Sequence, residues 1–416
     1  MAIGTPNKLF FSRDTKMFVK VGTFFWEIPV LDGFSFSQGN NTTEVTLNEA
    51  QDSSGNSKRA RQLFNDSLAP AEFSFSTYMR PFKSAAGSAL NTNQAADDQA
   101  HHHAVEEVLW AVMTTDDHGY TQGSNDFAFD TFTKGGSQVD IAFGESNKPA
   151  LQEFELYFQL GGVPTAATDG VVVYKLTKAV INEASIDFDI DGLATINWSG
   201  FAQTIEQHAT HPANQAAAIG SSIVDEAVIA TNNYIRNRAS SLSLFSKAAT
   251  ATRTAFAGGN NTGTTNAGQY GLTLTGGNIT ISNNITFLTP ETIGSVNVPF
   301  AHVTGARSVS GTLNCYLGLD TTNAGTNIGT STDFFVDANS AAARSIVTNQ
   351  FELEVDIGGG TAPNVVFDMD QVHMEIPQIN VEDTIAVEVA FHALPSTVSA
   401  TDEITKIRYT GITPDA

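Results

Sequence analysis

Charge is scarce in this chain, and positive charge scarcer still. Asp, Glu, Lys and Arg make up 16% of its 416 residues, against roughly 25% in ordinary soluble domains. The 21 bases face 44 acids, leaving a net charge of −23 that both halves share. Such a balance excludes a protein whose task is to grip nucleic-acid phosphates or an anionic membrane. A lone cysteine, Cys315, excludes an intrachain disulfide and a cysteine metal cluster. No run of about 18 apolar residues occurs, so no membrane-spanning helix is expected. Met1-Ala2-Ile3-Gly4 opens nothing like a secretory apolar segment, so synthesis in a cytosol is expected. The Asn-x-Thr/Ser triplets at Asn41, Asn65, Asn197, Asn278 and Asn284 then read as strand and turn chemistry, not glycosylation.

Catalytic signatures are missing as well. There is no Gly-x-Ser-x-Gly elbow, Walker loop, His-Glu-x-x-His or dinucleotide fingerprint. Three consecutive histidines, His101-His102-His103, cannot all turn to one ion from regular structure. They read as an incidental tract in a polar loop before a helix. Asp187-Phe188-Asp189-Ile190-Asp191-Gly192 opens like a calcium-binding hand, but its twelfth position is Trp198 where a bidentate acid belongs. Neither metal nor cofactor is expected, and no enzyme.

What is present is a repeat. Phe154-Glu155-Leu156, Gly161-Gly162, a Val-Tyr strand and Ile186 return as Phe351-Glu352-Leu353, Gly358-Gly359, Val366-Phe367 and Ile379. Phe34-Ser35-Phe36-Ser37 with Asn40-Asn41 is echoed by Ile279-Thr280-Ile281-Ser282 with Asn283-Asn284, and Ala71–Ser74 more faintly by Ala306–Val309. A shared order of strand and turn signals implies one β-rich module used twice. The expected fold is mainly β (α+β): two tandem β-sandwich or barrel modules, each with one flanking helix. The first spans 1–207, a linker 208–222, and the second 223–416, with an Ala-rich polar stretch from His208 to Gly220 at the boundary.

In the first module, strands are expected within 18–30 and at 34–37, 44–47, 73–79, 126–133, 152–160, 171–176, 184–190 and 194–201. A helix is expected over Ala104–Met113, with Val105, Val108, Leu109 and Val112 on one face. The second module repeats the pattern with strands at 234–244, 272–281, 285–288, 309–317, 350–357, 364–376 and 384–392, and a short helix near Ala341–Val347. Between Glu49 and Ser67 periodicity disappears. This long polar loop carries Lys58, Arg59 and Arg61, and is either a solvated loop or a basic arm that docks on an acidic neighbour.

Period two on 186–191 puts Ile186, Phe188 and Ile190 toward a core and Asp187, Asp189 and Asp191 on the other face. Glu352, Glu354 and Asp356 alternate likewise, as do Glu153 and Glu155. Each set reads as a solvated face. Three like charges in a row repel, however, so a neutral residue would suit a plain exterior better. An acidic strip suits a surface past which a polyanion must slide.

Several segments resemble the major tail tube protein of long-tailed siphophages, in its large form with two fused tube domains. They are Thr43–Ala50, Phe64–Tyr78, Ile196-Asn197-Trp198-Ser199-Gly200 and Gly276–Pro290, and the likeness runs from about residue 8 to 408. Some members carry a further immunoglobulin-like domain, for which a chain stopping at Ala416 is expected to lack room. The resemblance implies a virion protein, made in the host bacterial cytoplasm, whose trimers form pseudo-hexameric rings. Rings would stack into a hollow tube through which DNA passes without specific binding. Tape measure, tail terminator and tail-tip or baseplate proteins would be its partners, with no membrane involved. Asp187, Asp189 and Asp191 would then contribute to the lumen lining. The loop residues Glu49, Asp52, Lys58, Arg59, Arg61 and Asp66 would reach the adjacent ring, and the shorter Thr289–Pro299 counterpart fits three-fold symmetry. The competing readings are a phage decoration or fibre protein, which needs no twofold repeat, and a secreted β-sandwich adhesin, which needs a secretion route.

Overall fold

The computed structural model describes residues 11–22, 24–45, 52–56, 61–83, 101–115, 120–122, 127–129, 132–134, 137–144, 151–161, 172–189, 191–208, 233–237, 239–246, 269–288, 298–318, 330–338, 351–359, 361–381 and 385–412. Alternating apolar and hydroxyl residues make strands throughout. The first half contains β1 (Lys16–Val21), β2 (Phe24–Ile28), β3 (Ser35–Val45), β4 (Gln62–Tyr78), β5 (Pro81–Lys83), β6 (His102–Ala104) and helix α1 (Glu107–Thr114). Short strands β7 (Tyr120–Gln122), β8 (Phe127–Phe129), β9 (Phe132–Lys134) and β10 (Val139–Ile141) lead to β11 (Phe154–Leu160), β12 (Val172–Phe188), β13 (Thr195–Ala202) and β14 (Thr204–His208). The second half contains β15 (Ala239–Ser246), β16 (Gln269–Tyr270), β17 (Thr273–Ser282), β18 (Thr286–Leu288), β19 (Ala301–Val303), β20 (Ser308–Tyr316) and helix α2 (Ser331–Ala338). It ends with β21 (Phe351–Ile357), β22 (Asn364–Met374), β23 (Gln378–Val381), β24 (Ile385–Ala393) and β25 (Lys406–Thr410).

Both halves pair their strands in one order. In the first, β2-β1-β11-β12 form one ladder, with β14 on the far side of the start of β12 and β13-β4-β3 following from its end. In the second, β16-β15-β21-β22 correspond, with β25 in the place of β14 and β24-β20-β17 in the place of β13-β4-β3. Irregularities coincide too. A bulge falls between Phe154 and Leu156 in β11 and between Phe351 and Leu353 in β21. Gly161 and Gly358, each just past its strand, have φ of +106° and +109°. Only glycine takes that backbone without strain.

Pairing also corrects the sequence alignment. Phe36 faces Phe73, which faces Gly200; Ile279 faces Gly311, which faces Phe391. Phe36 therefore holds the place of Ile279, two residues away from the echo that the sequence suggests. The cross-strand Phe73–Gly200 pair becomes Gly311–Phe391, the same ring over the same gap from the opposite strand. A Cβ on Gly200 would lie 2.5 Å from the Phe73 ring, and one on Gly311 would lie 2.7 Å from the Phe391 ring.

The helix flanking the first half's sheet is buried throughout. Every residue from Glu107 to Thr114 is buried. Trp110 packs edge-on against Trp198 with ring centroids 4.8 Å apart, and donates its indole N–H to Tyr409 at 2.7 Å. In the second half α2 takes the corresponding place between β20 and β21. The helix expected at 341–347 lies outside the described residues, as does the boundary segment beyond His208. Strand β12 stops at Phe188 and not at Ile190, which is itself outside the described residues. The expected loop 49–67 shrinks, because β4 already begins at Gln62 and pairs with Val45 of β3.

The three histidines do not sit in a polar loop. His102 and His103 are buried on β6, where His102 Nδ1 accepts the Gly411 N–H at 3.0 Å and His103 stacks on Phe82. Nor are the strand acids of the second half solvated. Glu352 and Asp356 are buried, since β21 is covered on both faces, while Glu354 accepts from Arg408 at 2.8 Å. In the first half, Glu155 is bonded by Lys20 and Tyr157 at 2.7 Å each.

Candidate assembly surfaces

One sheet runs without a break through both halves. Its order is β3-β4-β13-β12-β17-β20-β24-β23, all antiparallel. In this sheet the halves join at β12 with β17, where Ile186 faces Ile279 and Phe188 faces Gly277; elsewhere β10 also pairs with β25. Register divides the side chains into rows. Phe75, Trp198, Ala184, Ile281, Val309 and Ala393 stand opposite one another across six strands, and all are buried. The next row, on the opposite face, is Ser76, Asn197, Ser185, Thr280, Ser310 and His392. A further row on that face is Ser74, Ser199, Glu183, Ser282 and Ser308, and another holds Asp187, Asn278 and Thr312. These polar rows contain no lysine or arginine.

Cross-strand hydrogen bonds tie the polar face together. Ser76 donates to Asn197 at 2.6 Å, Ser35 and Ser74 share a bond at 2.8 Å, and Asn278 Oδ1 accepts the Thr312 N–H at 2.8 Å. Of the three aspartates singled out from sequence, Asp187 lies on this face and is exposed. Asp189 and Asp191 come after the end of β12, Asp189 giving its N–H to the Asn237 carbonyl at 3.3 Å. The face is a hydroxyl and amide wall with isolated carboxylates, rather than an acidic strip.

A second surface rises from one end of the wall. Beyond Gln38 and Leu68, strands β3 and β4 continue as a two-stranded ribbon with few buried residues. Asn40 bonds Asn65 at 3.2 Å, Asn41 bonds Ser67 at 2.9 Å, Thr43 bonds Asp66, and Arg61 clasps both carboxylate oxygens of Glu44. The Arg61 guanidinium holds the Glu44 carboxyl below its usual range. Asp52 organises a turn, accepting the N–H groups of Ser54 and Asn56 at 3.0 and 2.9 Å around Gly55 at φ +78°. Glu49, Lys58 and Arg59 lie outside the described residues. Sequence reasoning missed the ribbon's apolar content. Leu63 and Phe64 are 64% and 62% exposed, and Val45 is exposed beside them. An isolated hairpin is marginal in water, and Phe64 shares one face of this one with Val45 while Leu63 is on the other.

Elsewhere the ionisable groups serve the fold. Glu352, Asp368 and Asp370 approach one another within 4.8 Å, and Arg408 donates to Asp368 at 3.2 Å. Burial pushes the Asp368 carboxyl up to about 6 despite Arg408. Glu106 is fully enclosed, and burial pushes its carboxyl up to about 7, against hydrogen bonds that favour the charge. Because its folded value is raised, the fold holds that proton more tightly than the unfolded chain does. Glu106 therefore contributes stability that is complete below pH 4.5 and lost as pH rises toward 7. The expected slope approaches about 1.4 kcal/mol per pH unit inside that window. Urea unfolding at pH 5 and pH 7.5 should show the difference, and Glu106→Gln should flatten it; an unchanged slope in the variant would contradict this assignment.

No helix among the described residues is long and apolar enough to cross a membrane. A family model described as phage tail tube protein matches residues 13–393. The tail tube protein pb6 of Escherichia phage T5 is 28% identical over 401 residues, covering 94% of this chain and 74% of that one.

Proposed function

This chain belongs to the phage tail tube protein family, and from that premise we propose that three copies close each layer of the tube around a lumen lined by the polar wall. The family's role is structural, and the protein is a component of the virion's tail tube. Two modules per chain, divided near residues 208–222, make a ring of three copies pseudo-hexameric. What carries the reading is the sheet shared by both halves, whose polar rows bear hydroxyls, amides, a few carboxylates and the His392 imidazole, with no lysine or arginine among them. A duplex sliding along such a wall meets no lysine or arginine to grip it. Glu183 and Asp187 add weak repulsion, which salt confines to about 8 Å from the wall. The lining therefore prevents sticking and does not drive transport.

In this reading the ribbon of β3 and β4, with Asp52, Arg61 and Asp66, spans to the next layer, and Glu49, Lys58 and Arg59 belong to the same arm. Tape measure, tail terminator and tail-tip or baseplate proteins are the further partners, and the host bacterial cytoplasm is the place of synthesis. A three-dimensional reconstruction of tubes grown from the purified chain tests the proposal. Three copies per layer with Asp187 facing the channel is the expected result. Six copies per layer, or Asp187 on the outer surface, would refute it.

A further inference from the structure

Two histidines stand side by side on the polar wall. His373 of β22 faces His392 of β24, and Ser310 of β20 comes next along the same row. The ladder is closed on both sides of the pair. Glu375 gives its N–H to the Ala390 carbonyl and Leu394 gives its own to the Gln371 carbonyl, each at 2.9 Å. Directly opposite residues hold their Cβ atoms about 4.5–5.5 Å apart, so both imidazoles rise from a fixed base on one face. Glu375, two residues beyond His373, shares that face and brings a carboxylate oxygen 3.5 Å from His392 Nε2. All three side chains are exposed, and His373 has no hydrogen bond or ion pair among the described residues.

The repeat shows that the fold does not require this trio. Ala179 holds the place of Val372, so the counterpart of His373 opposite His392 is Val180 opposite Phe201. That pair is apolar and packs with Ile285 and Phe287. Two imidazoles with one carboxylate are a donor set suited to zinc and its neighbours. Spacing agrees with that chemistry. Donors about 2.0–2.1 Å from a tetrahedral ion lie about 3.4 Å from each other, close to the 3.5 Å between His392 Nε2 and Glu375. We propose that His373, His392 and Glu375 bind one divalent transition-metal ion of the zinc type. His392 Nε2 and the Glu375 carboxylate hold the ion on one side. The His373 ring turns about its side-chain torsions to supply the third donor, and a water takes the open position. The bound ion ties β22 to β24 beside the break where β24 exchanges β22 for β23 as its partner.

The site lies within one chain, so its test does not depend on tube growth. Calorimetric titration of the purified full chain with zinc chloride should show one ion bound in this site. His373→Ala and His392→Ala should each weaken that binding by at least about tenfold, since each removes one of three donors, and Glu375→Gln should weaken it less. Excess calcium, which takes oxygen donors, should not compete. Because the three side chains are exposed, the metal-free variants should melt like the wild type, which separates a lost ligand from a lost fold. Copper(II) gives a second readout. Electron paramagnetic resonance of the wild-type chain with one equivalent should show coupling to two imidazole nitrogens, and to one in either histidine variant. Absence of zinc binding by the wild type, or undiminished binding by the His373→Ala/His392→Ala double variant, would overturn the proposal. So would a copper spectrum that neither substitution changes.

Discussion

Phe64→Asp is expected to stop tube growth while leaving the single chain folded. Phe64 faces Thr43 in the ribbon and is 62% exposed, with Leu63, on the opposite face, at 64%. Replacing a side chain that already lies in water changes the stability of the isolated chain by no more than about 0.5 kcal/mol. In the proposed stacking, burying a phenylalanine against another layer would contribute about 1.5–3 kcal/mol, once per copy around the proposed ring. Contacts made together multiply in their effect on assembly. Tube mass in a pelleting assay should therefore fall by at least a hundredfold, with circular dichroism and melting unchanged. A milder loss is expected for Arg61→Ala, since its clasp on Glu44 is fully exposed and screened by salt. Tubes of normal length from Phe64→Asp would show that the ribbon does not carry the stacking contact.

The duplication was legible from sequence wherever a special backbone or a one-sided strand left its mark. Phe154 and Phe351 open matching strands, and Gly161 and Gly358 close them with the same left-handed backbone. Alternation alone could not set register. A two-residue slip leaves every side chain on its own face, so Phe36 aligned with Ile281 in sequence although pairing puts it at Ile279. The ribbon was illegible for a different reason. A strand is expected at 44–47 on one side of it, but with both faces in solvent Gln62 to Asn65 have no core to impose a period, and the stretch from Gln62 reads as loop. Burial of His102, His103, Glu352 and Asp356 was equally hidden, because it depends on elements far away in the chain: His102 accepts from Gly411, and Asp356 is covered by β15, where it faces Ser241. The polar wall lay in plain sight as Ser, Thr and Asn at alternate positions of β4, β13 and β17. Such hydroxyl rows gain meaning only once the register lines them up across six strands.

Gly200→Ala tests the paired architecture most severely. The added Cβ would stand 2.2 Å from the Val180 carbonyl oxygen and 2.5 Å from the Phe73 ring. The ring could turn, but the carbonyl belongs to the neighbouring strand of the wall, so relief requires the backbones of β12 and β13 to separate. Overpacking of a core commonly costs about 1–3 kcal/mol, and more when backbone must move; about 4 kcal/mol is expected here, a large share of an ordinary stability of about 5–15 kcal/mol. Gly311→Ala should cost a similar amount, because its Cβ would meet the Asn278 carbonyl at 2.0 Å and the Phe391 ring at 2.7 Å in the counterpart pair. The contrast is Gly39→Ala in the same sheet, where the nearest atom is the Ala69 Cβ at 3.8 Å. That substitution should lie within about 0.5 kcal/mol of wild type, since it removes only unfolded-chain freedom. Urea midpoints of the three variants decide the matter. If Gly200→Ala and Gly311→Ala diverged widely, the two halves would not share the packing that their common strand order implies; if Gly39→Ala were as damaging as either, close approach would not be the cause.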